Sequence, residues 1–254
     1  MDVPSAASLL LPDVPGIVCL VGAGGKTSLM FRLAYECLEQ GQRVLTTTTT
    51  KIFHPKPHQS PLTVLTERPL AWLEAHHSWE KFGHLTLARA GLPHNKLQGF
   101  EPETIEVLWS TGRFDWILVE ADGAAGRPLK APDRHEPVIP EATRCVIALL
   151  GLQGFGRPLS EEWCFRPHIF SELSGLGLGE TMDTGSLLQV LTHEQGLLKG
   201  TPALAERSLF LNQADDGRLQ EQARRFLNRL DAEYPGLFSR TALGALRHRL
   251  ILTP

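Results

Sequence analysis

The sequence has no hydrophobic run long enough to cross a membrane. Its longest apolar stretches, one of them interrupted by a serine, span five or six residues, whereas a bilayer-spanning helix needs roughly 20. They are Ala6–Leu11, Ile17–Val21 and Cys145–Leu150. Met1–Pro4 also lacks the positive charge that opens a secretory signal. We therefore expect neither a secretory signal nor a membrane partner.

Charge of one sign is not in excess. Lysine and arginine number 25, aspartate and glutamate 28, and the formal net charge is −3. A strong basic field, the usual mark of binding to a phosphate backbone, is therefore missing, and we expect no nucleic-acid partner. Apolar residues at 42% and charged residues at 21% of the chain are typical of a globular protein and exclude disorder as the main state.

Cysteine is scarce. The chain has four, and none is spaced as CxxC: Cys19, Cys37, Cys145 and Cys164. This spacing argues against a disulfide framework or a cysteine metal site and predicts reduced, buried thiols in a cytoplasmic protein. The ten histidines form no spacing typical of a metal site.

Strand-like and helix-like segments alternate along the chain. Gly16–Val21 and Trp116–Ala121 are short apolar runs, whereas Ser28–Gln40 carries apolar residues at helical spacing. This rhythm predicts a three-layer α/β fold with a mainly parallel sheet covered on both faces. It weakens over residues 151–200, where we expect a helical insertion. We interpret residues 1–254 as one domain.

A glycine loop follows the first predicted strand. Small residues let backbone N–H groups turn toward phosphate oxygens, and the next helix adds its positive end. Lys26, which we expect to be exposed, would reach the β- and γ-phosphates, and Thr27 would bind Mg²⁺. The phosphate-binding residues would be Gly22, Ala23, Gly24, Gly25, Lys26, Thr27 and Ser28. The alternative is an ordinary glycine-rich turn.

The loop matches a short form of the phosphate-loop pattern. The full pattern GxxxxGK[ST] begins with glycine, but this chain has Leu20 at that position. The shorter GxxGKT is present and resembles the loop of Mur-type peptide ligases. Together with the predicted strand and helix on either side, it indicates a fold similar to that of P-loop NTPases.

Two carboxylates follow a second apolar run, in the stretch DWILVEADG. Glu120 and Asp122 are spaced to share one face of a strand end. There they would hold Mg²⁺ or orient an attacking water. Arg127 and Lys130 come soon after and could bind the anionic group of a substrate. The alternatives are a polar strand end facing solvent and solvated surface charges.

A late strand ends in the sequence NQAD. Asn212 and Asp215 resemble the NKxD motif with which GTPases read guanine, where the aspartate accepts hydrogen bonds from the base and the asparagine braces the loop. Gln213 replaces the lysine. The alternative is a common turn after a strand. Residues 49–51 follow another strand and would lie near the γ-phosphate, although threonine is also simply a good strand former.

Several motifs together resemble the YqeC family, accessory proteins of selenium-dependent molybdenum hydroxylases. They are GAGGKTS, VLTTTTTKIF, ILVEADGAAGRPLKAP with HEPVIP, and LNQAD. The resemblance implies a cytoplasmic P-loop protein that acts in maturation of a selenium-containing molybdenum cofactor, with a molybdenum hydroxylase or its cofactor as partner. Glu120-x-x-Gly123 and Asn212-x-x-Asp215 resemble, more distantly, the GTPases that help deliver nickel or cobalamin. Leu20 and Gln213 depart from the GTPase pattern and leave ATP or GTP open.

The preferred function is therefore Mg²⁺-dependent binding of a nucleoside triphosphate, with hydrolysis or phosphoryl transfer. Lys26, Glu120 and Asp122 would be its catalytic residues, and Thr27 would share the metal with the two carboxylates. Two alternatives stay open. One is a nucleotide-gated chaperone for the cofactor or apoenzyme, with little turnover. The other is a Mur-like ligase or small-molecule kinase whose substrate lies on Arg127 and Lys130.

Overall fold

Parallel strands form the centre of the structure. The computed structural model describes residues 5–248 and 250–252, so Met1–Pro4, on which the expectation about a secretory signal rests, lies outside the described residues. The strands of the main sheet are β1 (Ile17–Gly22), β2 (Val44–Thr48), β4 (Thr63–Leu65), β5 (His84–Ala88), β8 (Trp116–Glu120), β10 (Thr143–Gly151), β12 (Glu206–Asn212), β13 (Arg240–Ala245) and β14 (Leu250–Leu252). The remaining strands are β3 (Lys51–Phe53), β6 (Ala90–Leu92), β7 (Lys96–Gln98), β9 (Leu129–Lys130) and β11 (Cys164–Phe165).

The strand order places β1 inside the main sheet. In the described part of the chain that order is β14-β13-β12-β10-β1-β8-β2-β5-β4. Neighbouring strands are parallel except β13 and β14. Every residue of β1 is buried, as expected of a strand covered on both faces. The loop after β1 therefore emerges at the carboxyl edge of the sheet, where α/β proteins bind ligands.

Helices cover both faces of the sheet, which confirms the predicted three-layer α/β fold. The helices are α1 (Ala6–Leu10), α2 (Lys26–Glu39), α3 (Pro69–Ala75), α4 (Pro102–Ser110), α5 (Pro167–Ser174), α6 (Thr184–Thr192) and α7 (Gly217–Glu233). Leu20 packs in a cluster with residues of α1 and α2, whereas Val21, pointing to the other face, packs with residues of α3 to α7. None of the helices in the described ranges is long and apolar enough to span a membrane.

The segment 151–200 contains α5, α6 and β11. Phe170 of α5 and Leu187 of α6 are buried in the same hydrophobic cluster as Val21 of the central strand. This segment therefore shares its core with the central sheet, and the division into one domain with a helical insertion stays a prediction.

Two small sheets were not predicted. β3, β7 and β6 form an antiparallel sheet, and β9 pairs with β11. These strands are only two or three residues long, which is too short for a period-two pattern to emerge from the sequence. Helix α1 and strand β13 were not predicted either. The antiparallel sheet borders a cleft at the carboxyl edge of the main sheet.

The four cysteines are free and buried. Burial raises the pKa of Cys19 to about 12, so the thiol stays protonated at neutral pH. This agrees with the predicted buried thiols. In the described residues, groups of three or more histidine, cysteine, aspartate or glutamate side chains that would hold a metal are absent.

A buried histidine connects β5 to β2. Nε2 of His84 lies 3.0 Å from the Thr46 hydroxyl, which in turn lies 2.7 Å from the hydroxyl of Thr86. Burial lowers the pKa of His84 from 6.5 to about 4. The folded protein thus keeps this ring neutral at a pH where the unfolded chain protonates it, and stability is lost as pH falls from about 6.5 toward 4.

We expect His84→Gln to weaken this pH dependence. The amide retains a partner for Thr46 and does not titrate. Between pH 7.5 and 5, the unfolding free energy of wild type should fall by about 2 kcal/mol more than that of the variant. Urea unfolding at the two pH values measures the difference. Equal losses in the two proteins would show that His84 does not contribute.

Candidate functional site

The glycine loop joins β1 to α2 through a tightly packed turn. Gly24 has a φ of +83° and Gly25 a φ of +130°, which side chains rarely tolerate. A Cβ on Gly24 would lie 2.5 Å from Cα of Gly151, and one on Gly25 would lie 2.4 Å from Nδ2 of Asn212. Both positions therefore require glycine because neighbouring segments approach the loop so closely.

The first N–H groups of the loop are used inside the protein. This corrects the prediction that the whole loop, including Gly22, Ala23 and the Gly24 N–H, binds phosphate. The bonds run from Gly22 to Asp122 Oδ2 (2.9 Å), from Ala23 to the Leu149 carbonyl (2.9 Å) and from Gly24 to the Arg127 carbonyl (3.1 Å).

The donors for an anion begin at Gly25. Helix α2 starts at Lys26, two residues earlier than predicted, and Gly25 supplies no side-chain cap. The first N–H groups of a helix have no partner within it. Gly25, Lys26, Thr27 and Ser28 all line one cleft. Binding of phosphate at this helix start stays a prediction.

Lys26 is buried, with 3% of its surface exposed, which corrects the expectation of an exposed loop lysine. Its Nζ donates to the Gly22 carbonyl (2.6 Å) and lies 3.0 Å from Asp122 Oδ1 and 3.9 Å from Glu120 Oε1. Burial lowers the pKa of Lys26, but the charges of Asp122 and Glu120 outweigh it and raise the pKa above its ordinary value. The side chain is therefore a fixed positive charge beside the helix start.

Thr27 and Glu120 bring two oxygen groups into contact at the cleft. The Thr27 hydroxyl donates to Glu120 Oε2 at 2.6 Å, joining the first turn of α2 to the end of β8. Burial is the main reason that the pKa of Glu120 is raised. Hydroxyl and carboxylate oxygens are hard ligands that suit Mg²⁺, which takes few protein ligands and completes its shell with phosphate and water. These two residues fit the predicted metal site.

Asp122 does not share that site. Its side chain has no exposed surface and is not part of the cleft lining. The carboxylate accepts from the Gly22 N–H and from Lys130, and its other oxygen faces Lys26. This corrects the prediction of Asp122 as a catalytic residue and metal ligand. Asp122 instead holds the loop and Lys26 in position.

The prediction that Lys130 binds a substrate anion is also wrong. Its ammonium donates to Asp122 Oδ2 (2.9 Å), the Gly123 carbonyl (2.6 Å) and Glu136 Oε2 (2.6 Å). All three donors of a lysine are thereby used, so none is left for a substrate anion. Arg127, the other predicted anion ligand, is exposed and lines the cleft, with its Nε donating to the Glu161 carbonyl. Its role stays a prediction.

Sequence reasoning missed a carboxylate–guanidinium pair at the cleft. Glu136 accepts from both Nη atoms of Arg166 (2.6 and 3.2 Å) in addition to Lys130. Burial raises the pKa of Glu136, but these hydrogen bonds and charges outweigh it and hold the value at about 2. The HEPVIP motif contains Glu136, but no local pattern points to a partner 30 residues away.

The NQAD segment lies on the other side of the loop. Asn212 Nδ2 donates to the Gly24 carbonyl (2.6 Å), and its Oδ1 accepts from the Leu246 N–H (3.1 Å). The amide therefore links the glycine loop to the segment that follows β13. Asp215 also lines the cleft, and its Oδ2 accepts from Gln153 Nε2 at 2.9 Å. A base-reading role for Asp215 stays a prediction.

One cleft of about 740 Å³ connects these groups. It runs along the carboxyl edge of the sheet and contains the helix start, Glu120, Asp215 and residues 49–51. The hydroxyl proton of Thr49 already has a partner inside the protein, because this hydroxyl donates to the Val138 carbonyl at 2.8 Å. The fold and this cleft define an α/β protein with a phosphate-loop-type turn between its central strand and the following helix.

The sequence comparisons identify the family. The sequence model of the YqeC protein family matches residues 18–168. A relative from Escherichia coli (strain K12), described as uncharacterized protein YqeC, is 39% identical over 208 residues, which cover 78% of this chain and 76% of the relative. The chain belongs to the YqeC family.

Two solved structures are similar at a low level. Chloroplast FtsY from Physcomitrella patens has 14% identity and a TM-score of 0.43, and the match covers 95% of this chain and 62% of that one. FlhF complexed with GMPPNP/Mg(2+) has 15% identity and a TM-score of 0.34, over 75% and 67% of the two chains.

Proposed function

We propose that this chain binds a nucleoside triphosphate with Mg²⁺ at the start of α2 and uses it for hydrolysis or phosphoryl transfer. The observation that carries the proposal is the contact of 2.6 Å between Thr27 and Glu120, beside a helix start and a buried lysine that line the same cleft. An anion-binding helix end, a fixed positive charge and a pair of hard oxygen ligands are the parts that phosphoryl chemistry needs.

Each residue has a distinct part in this proposal. The N–H groups from Gly25 onward would bind phosphate oxygens, and Lys26 would offset their negative charge. Thr27 and Glu120 would hold Mg²⁺, which when bound neutralises charge that develops on the phosphate oxygens. Asp122 would act only through Lys26 and Gly22, as a positioning residue.

The family suggests the setting of this chemistry. We propose that the chain acts in the cytoplasm in maturation of a selenium-containing molybdenum cofactor, with a molybdenum hydroxylase or its cofactor as partner. The cleft extends past the helix start to residues 49–51, which favours transfer of a phosphoryl group to a second substrate, as in a kinase or a Mur-like ligase. A nucleotide-gated chaperone would use the same nucleotide site with little turnover.

Replacing Lys26 tests the phosphate site, and Lys130 offers a matched control. Both ammonium groups pair with Asp122, but only Lys26 lines the cleft. We expect Lys26→Met to weaken binding of fluorescent GTP and ATP analogues by roughly 10- to 100-fold, the value of a charged hydrogen bond. Lys130→Met should lower the melting temperature about as much as Lys26→Met does, because each removes one partner of the buried Asp122. Its effect on nucleotide affinity should be only about threefold.

The comparison of the two variants also gives the contradicting result. Each variant is first checked for a cooperative thermal transition. If a folded Lys26→Met protein bound both analogues as wild type does, or if Lys130→Met lost binding equally, the phosphate site would lie elsewhere or the loss would be only structural.

Asp215 tests which base the site reads. A carboxylate accepts two hydrogen bonds from guanine, and adenine offers no such pair, so we propose that wild type prefers GTP. Asp215→Asn should bind GTP roughly tenfold or more weakly than wild type does. It should bind xanthosine triphosphate more tightly, because the C2 oxygen of xanthine accepts from the new amide. Competition binding with ATP, GTP and XTP measures both effects. A preference of wild type for ATP, or an unaltered preference in the variant, would show that Asp215 is only part of a turn.

A further inference from the structure

The strand order divides the cleft into two halves. Strand β10 lies between β1 and β12 on one side of the loop, and β8 lies between β1 and β2 on the other. Neighbouring strands are about 4.8 Å apart, so the ends of β12 and β2 each lie about 10 Å from the loop, in opposite directions. A base read by Asp215, which follows β12, leaves the half beyond β2 to another ligand.

The small antiparallel sheet gives the second half a wall of positive and aromatic side chains. Lys51 and Phe53 flank the buried Ile52 on β3, and Lys96 pairs with Phe53 in the ladder. Because alternate residues share a face, these three side chains lie on the face away from the core, and all three line the cleft. Phe53 is 62% exposed, and Lys96 Nζ lies 5.3 Å from its ring centroid.

A second aromatic–cation pair lines the same cleft. The guanidinium of Arg166 lies 4.4 Å from the ring centroid of Phe165, and Glu136 fixes that guanidinium with two hydrogen bonds. The small sheet and the segment Phe165–Arg166 thus each offer an aromatic ring next to a positive group. Such pairs are suited to planar rings and to anionic groups.

Positive charge is in excess at the small antiparallel sheet. Among the described residues, Lys51 and Lys96 form no ion pair, whereas Lys26, Lys130 and Arg166 each pair with a carboxylate. Glu101 also lines the cleft and offsets one of the two unpaired charges. An anionic ligand would offset the remainder.

We propose that this half of the cleft binds a second ligand, an anionic small molecule with a planar ring. The ring packs on Phe53, and its phosphate or carboxylate contacts Lys51 and Lys96. The proposal rests on the proposed function in one respect, which is that the nucleotide occupies the half of the cleft that contains Asp215. It names the class of substrate for the proposed phosphoryl transfer, in which an oxygen of this ligand would form a bond to the γ-phosphorus as the bond to the departing nucleoside diphosphate breaks.

Flavin mononucleotide is a suitable probe because it joins a fluorescent planar ring to a phosphate. Its binding is measured by fluorescence quenching, in the presence of Mg²⁺ and saturating GMPPNP or AMPPNP. We expect wild type to bind the probe, and riboflavin, which lacks the phosphate, to bind roughly tenfold more weakly. Phe53→Ala and Lys96→Ala should each raise the dissociation constant by roughly tenfold.

A second lysine–phenylalanine pair provides the matched control. Lys81 Nζ lies 5.1 Å from the ring centroid of Phe82, which is 38% exposed, and neither residue lines the cleft. Lys81→Ala and Phe82→Ala should leave the dissociation constant within about twofold of wild type, because they remove the same kind of pair from another surface.

Three results would overturn the proposal. They are no binding of flavin mononucleotide to wild type, its displacement by the triphosphate analogues, and equal effects of the cleft and control variants. Failure of the proposed function would be visible separately, as absence of binding of the analogues themselves. In that event, the titration of flavin mononucleotide is repeated without GMPPNP or AMPPNP, and it still measures whether Phe53 and Lys96 form a binding site.

Discussion

The site depends on one buried carboxylate. Asp122 has no exposed surface, and an ionised carboxylate in such a place is costly unless positive groups and hydrogen-bond donors surround it. Lys26, Lys130 and the Gly22 N–H meet this requirement. In doing so they fix the end of β1, the start of α2 and the segment after β8 relative to one another. The helix start and Lys26 consequently face the cleft together.

The same packing determines which parts of the loop remain available. Its early N–H groups are bound to Asp122, Leu149 and Arg127, so anion binding is left to the first turn of α2. Asn212 supports this turn from the side of β12, and Glu120 meets it through Thr27 from the side of β8. The proposed phosphate site thus lies between β8 and β12 in one cleft, with room beyond it along the sheet edge.

Local patterns predicted the sheet, most helices, the loop and the position of Glu120, because these depend on periodicity and on adjacent residues. The roles of Asp122 and Lys130 depend on burial. A sequence does not distinguish a lysine in solvent from one enclosed by two carboxylates. The pair of Glu136 and Arg166, and the pairing of β3 with β7, join segments 30 to 47 residues apart. Such contacts leave no local pattern, so the second half of the cleft emerged only from the structure.

Thr27 and Glu120 are most directly tested as a metal site by calorimetric titration of GMPPNP and AMPPNP into wild type and Glu120→Gln, with and without Mg²⁺. Mg²⁺ should tighten binding to wild type by roughly tenfold, and binding to the variant by less than about twofold, because a neutral amide is a poorer ligand for a hard cation. Affinities without Mg²⁺ should agree within about threefold, since the phosphate donors are unchanged. Equal Mg²⁺ dependence in the two proteins would contradict the assignment of Glu120 to the metal.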